Sequence, residues 1–151
     1  MGIIDEIVTK LKTEIGNILP EFKPLRYEYD IATNSDRDYK QRYGVTCDSA
    51  NFVTDRTIGF ITMDHTFNVV LTNSFLNKDN DDSKNKNLME LYEAVEKISS
   101  NLHNRKLDLA SPTYNVLLVT SFSVDTPEIL GDTNSIALRL NLNIRYKYKH
   151  N

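Results

Sequence analysis

Apolar and polar residues alternate without a break from Ile136 to Tyr148. Ile136, Leu138, Leu140, Leu142, Ile144, Tyr146 and Tyr148 stand against Ala137, Arg139, Asn141, Asn143, Arg145 and Lys147. A period of two is the mark of a strand with one buried face. At about 3.3 Å per residue the run spans roughly 40 Å, more than twice an ordinary strand. A strand this long either curls round its own domain or continues a sheet into a neighbouring chain.

The rest of the chain divides by the same test. Ile4, Ile7, Val8, Leu11, Ile15, Ile18 and Leu19 recur at helical spacing and Pro20 and Pro24 close the segment, which predicts a helix over about residues 3–18. Leu25, Tyr27, Tyr29 and Ile31 alternate with Arg26, Glu28 and Asp30 as a half-buried strand, residues 33–43 read as a polar loop, and 45–52 as a weaker strand. From Ile58 to Leu71 the alternation changes phase beside Gly59, which predicts a bulge or bend there. Residues 77–87 are densely polar and read as a loop. Leu88, Leu91, Tyr92, Val95, Ile98 and Leu102 then mark a second helix. Residues 115–125 alternate with Val116, Leu118, Phe122 and Val124 on one side and Leu117 and Val119 on the other. A wide hairpin over 126–134 leads to the final strand.

Sequential strands usually neighbour one another. The order therefore predicts one α+β domain over residues 1–151, a mainly antiparallel, curved sheet with both helices packed on one face.

Composition leaves that picture standing. A chain of 151 residues, 40% hydrophobic and 26% charged, has the balance of a folded domain able to bury a sizeable core. Its net charge of −3 gives no general attraction to nucleic acid. Cys47 is the one cysteine, so neither an intrachain disulfide nor a cysteine-based zinc site is expected, and a reducing compartment fits. The N-terminal residues have no basic region before an apolar run, Glu6 stands where a myristoylation signal has Ser or Thr, and no apolar stretch is long enough to span a bilayer.

Candidate chemistry is sparse. Gly2, Gly16, Gly44, Gly59 and Gly131 are too far apart to form a phosphate cradle. Asp79, Asp81, Ser83 and Glu90 have the spacing of calcium ligands in an EF-hand, but Lys84 stands where that loop turns on glycine, so a solvated loop with Asp82 or Ser83 near a helix start is the better reading. His65 lies on the apolar side of its strand while Asp64 points to the other face, so the two form no dyad and a packed histidine is expected over a general base. His103 and His150 have no partner at metal-ligand spacing. Neither a catalytic nor a metal site is predicted, and no cofactor. On the polar side of the last strand Arg139, Arg145, Lys147 and Lys149 form a basic line: either a solvated edge protected against aggregation, or a surface facing an acidic partner or DNA phosphates. Arg26 and Arg56 extend it if their strands lie alongside.

The stretch RTIGFITMDHTFNVVLT from Arg56 to Thr72, the helix from Leu88 to Leu102, and the run SIALRLNLNIRY from Ser135 to Tyr146 resemble, in layout and length, the tail terminator (tail completion) proteins of long-tailed bacteriophages. The resemblance implies a structural virion subunit, made in the host cytoplasm, that forms a homo-oligomeric and hexameric ring on the head-proximal end of the tail tube. Such a ring stops tube growth, meets the neck and head-completion proteins, and lets DNA pass. No catalysis and no membrane are implied. The final hairpin, residues 115–149, is then expected to carry much of the subunit contact, with an overhang of the last strand pairing with the neighbouring sheet. Another head-tail connector or neck protein, or a small nucleic-acid-binding α+β module using the basic line, are the alternatives; an enzyme is the least expected.

Overall fold

The computed structural model describes residues 2–25, 39–53, 60–74, 81–109, 114–130 and 135–149. Two helices, α1 (Ile3–Ile18) and α2 (Asp81–Leu102), accompany the strands β1 (Lys23–Pro24), β2 (Arg42–Val53), β3 (Phe60–Ser74), β4 (Lys106–Leu107), β5 (Tyr114–Val124), β6 (Glu128–Ile129) and β7 (Ser135–Lys149). The strands form one open sheet in the order β1-β2-β3-β7-β5-β4, with β6 also on β7. β1 and β2 run parallel and all other pairs antiparallel. The fold is α+β, as the hydrophobic pattern predicts.

Both helices cover the same face. Ile7, Leu11 and Ile15 of α1 and Leu91, Val95, Ile98 and Leu102 of α2 join Phe67, Val69 and Leu71 of β3 and Leu138, Leu140, Leu142 and Ile144 of β7 in one core. Each such side chain contributes about 1.5–3 kcal/mol by leaving water. The Tyr43 hydroxyl donates to the Lys12 carbonyl at 3.2 Å and fastens α1 to β2. Glu14 links the helices: Arg105, just beyond α2, donates to it at 3.0 Å, and Lys10 lies 3.5 Å away. Helix α2 begins at Asp81, not at Leu88, so part of the expected polar loop is helical. Its early turns are held by polar contacts: Asn87 donates to the Ser74 carbonyl at 2.7 Å and Asn73 to the Glu90 carboxylate at 2.9 Å. No helix among the described residues is long and apolar enough to cross a membrane.

The long last strand lies inside the sheet. β7 pairs with β3 from Ser135 to Lys149, and its other edge pairs with β6 at Ala137 and Ile136 and with β5 from Leu140 to Tyr148. The expected overhang of this strand alone is therefore corrected: β3 pairs along one edge of β7 and β5 and β6 along the other, so β7 itself offers no free edge. The length belongs to the sheet. At the C-terminal end of α2 the Asn104 amide donates to the Val119 carbonyl, and Val119 stands opposite Ile144, itself opposite His65. Residues 60–64 and 145–149 run on past that level for roughly 16 Å.

Two phase irregularities have distinct origins. Register shifts between Asn115 and Leu118 and between Val119 and Ser121 bring Val119, Phe122 and Val124 opposite Ile144, Leu142 and Leu140, so the apolar residues of mixed parity reach one face. The bulge expected beside Gly59 falls outside the described residues. From Phe60 onward β3 keeps an unbroken register with β7, and it is β2 that slips, between Cys47 and Ala50. The strand expected after Leu25 and the arginines Arg26 and Arg56 also fall outside the described residues.

Candidate interface on the open sheet face

The face turned away from the helices has two regions. At one end Leu25, Tyr39, Val70, Leu130 and Ala137 form a second, smaller apolar cluster, and Thr72 donates to the Tyr39 carbonyl at 2.7 Å. Towards the other end the strands present polar side chains, several of them bonded to one another. β3 contributes Asp64, Thr66 and Asn68; β7 contributes Asn141, Asn143, Arg145 and Lys147; β5 contributes Ser121 and Ser123, opposite Asn143 and Asn141. The alternation that buries Leu140, Leu142 and Ile144 puts these residues here.

All three described members of the basic line lie on this face. Arg145 stands opposite Asp64 in the β3–β7 register and donates to both carboxylate oxygens, at 2.8 and 2.9 Å. This forked pairing holds the Asp64 carboxyl below its ordinary value, chiefly through its hydrogen bonds; burial opposes the shift, and the charge of Arg145 adds to it. Arg139 lies 3.8 Å from Glu128 of β6. Lys147 is exposed on the strand end, and the side chain of Lys149 lies outside the described residues. The positive line predicted from alternation is thus interrupted by acids from other strands. Asn141 donates to Asp125 at 2.8 Å and Asn68 to Asp48 at 3.4 Å, so amides occupy two further carboxylates.

Between β3, β7 and β5 the surface dips into an open cavity of about 340 Å³ lined by Asp64, Thr66, Ser121, Ser123, Asn141 and Asn143, with Phe122 and Leu142. Asp64 lies on the opposite face from His65, as the alternation predicts. The serines and Thr66 were not legible as a group, because only the cross-strand register assembles them.

The remaining candidates lie elsewhere. His65 is buried on the helix-covered face, next to the Phe67 ring at 4.4 Å. His103, after α2, packs near the Phe122 ring at 6.0 Å. Asp79 of the EF-hand-like window falls outside the described residues, as does His150, whereas the backbone from Asp81 is helical and Glu90 accepts from Asn73.

No protein-family model matches the chain, and no curated protein matches it in sequence.

Proposed function

We propose that the chain is a structural virion subunit, a tail terminator that assembles as a ring on the end of a tail tube and joins it to the neck of the head. The resemblance of residues 56–72, 88–102 and 135–146 to that family supports this reading. The observation that carries it is the length of the paired β3–β7 ladder, which continues through residues 60–64 and 145–149 past the level where the segment after α2 bonds to β5, with Met63 and Tyr146 still in the core. A ring needs two different patches that meet between successive copies. The strand extension with Lys147 is one, and its partner patch is a surface of lower positive charge on the next copy.

The nucleic-acid alternative draws less support. Binding to phosphates releases counterions in proportion to the basic groups engaged, and Asp64 and Glu128 already accompany two of the four predicted cations.

The reading is tested by adding the purified chain to growing tail tubes of the phage that encodes it and imaging them by electron microscopy. Tubes should stop at a defined end carrying a ring. Unchanged tube lengths with no added density would overturn the assignment.

A further inference from the structure

We propose that His65 is an uncharged clasp across three strands whose protonation loosens the end of β2, making this part of the sheet acid-sensitive. The inference does not depend on the virion reading. His65 is 3% exposed on β3. Its Nε2 lies 3.3 Å from the carbonyl oxygen of Asp48, within the segment where β2 slips between Cys47 and Ala50, and its Nδ1 lies 3.2 Å from the hydroxyl of Tyr146 on β7.

The partners fix the tautomer. A carbonyl oxygen only accepts, so the ring proton sits on Nε2 and is donated to Asp48; Nδ1 then holds a lone pair and accepts the Tyr146 O–H. In that form the ring ties β2 to β7 across β3. A second proton, on Nδ1, meets a hydroxyl that was donating, so the Tyr146 O–H has to turn away. It also places a charge where the side chain is shielded from water.

The surrounding groups work in both directions. Burial pushes the His65 pKa below its ordinary value, while the bond to the Asp48 carbonyl and the charge of the Asp48 carboxylate pull it back up, and the net direction is down. On the same face, Cys47 of β2 stands opposite Phe67, and β7 presents the Tyr146 phenol. Asp64 and Arg145 face the other way and pair with each other. The folded chain therefore binds fewer protons at this site than the unfolded chain. Stability is complete above about pH 6.5 and is lost as pH falls from there through the lowered folded value.

Hydrogen exchange on the full chain tests this, together with nitrogen NMR of the imidazole. At neutral pH the spectrum should show the Nε2–H tautomer. Between about pH 7.5 and about pH 5.5 the amides of residues 50–53 should lose protection by up to about tenfold, after correction for intrinsic rates. His65→Gln offers an amide donor to Asp48 and a carbonyl acceptor to Tyr146 but takes up no proton in this range, so the loss should vanish. A dominant Nδ1–H tautomer, unchanged protection at residues 50–53 in the wild type, or an equal loss in the glutamine variant would each overturn the proposal. The tautomer and wild-type exchange decide the matter even if the variant does not fold.

Discussion

Asp64 and Arg145 lie 81 positions apart in the chain, yet make a forked ion pair on the open face of the sheet. Arg145 is half exposed, so solvent screens the pair, and a double-mutant cycle with Asp64→Asn and Arg145→Gln should give a coupling of about 0.5–1 kcal/mol that shrinks in high salt. Because Arg145 lowers the Asp64 pKa, this contribution is present above the ordinary value near 3.8 and lost as pH falls through the lower folded value. In wild type against Asp64→Asn, acid unfolding should show that difference; equal acid sensitivity would argue against the pair. Gly16 offers a second residue-scale test. A Cβ there would come 3.0 Å from the Tyr43 hydroxyl, which is bonded to Lys12. Gly16→Ala should therefore gain less than the ~1 kcal/mol that alanine brings to a helix interior. It should recover most of that gain in a Tyr43→Phe background, as chemical denaturation would reveal.

At the scale of elements, α2 is anchored by polar bonds at the start and by apolar packing further on. Asn73 is 2% exposed, donates to Glu90 and accepts from the Ser74 amide. Asn73→Ala should cost about 1–3 kcal/mol in thermal or denaturant unfolding, since it leaves buried polar groups without partners. Asn73→Asp should cost more, because it sets a second carboxylate beside Glu90; equal stability of both variants and wild type would contradict the anchor. The apolar repeat from Leu88 is legible in the sequence, whereas the helix start at Asp81 is not: Asp81, Asp82, Ser83, Lys84, Asn85, Lys86 and Asn87 carry no apolar stripe to announce it. α1 and the buried parity of β7 are legible because their patterns are unbroken. β5 reads ambiguously because two bulges change its parity, and the polar cavity was not legible because it is assembled by register between distant strands.

For the whole molecule, length is the feature that counts. α2, at 1.5 Å per residue, covers roughly 33 Å, and a strand the length of β3 or β7 reaches about 50 Å. Placing β7 in the middle of the sheet also changes how assembly is best probed. Removing residues 144–151 would delete the buried Ile144 and Tyr146, so loss of assembly would follow from loss of fold. Lys147 is exposed on the extension and is the better probe. Lys147→Glu should keep the thermal midpoint within a few degrees and weaken association at least about tenfold, the equivalent of ~1.4 kcal/mol. A folded variant that associates like wild type would remove this site from the proposed interface. The most direct test of the ring is native mass spectrometry of the full chain over a range of concentrations. A ring subunit should give one closed oligomer of fixed stoichiometry that gains population with concentration, and a monomer throughout the range would contradict the proposed ring.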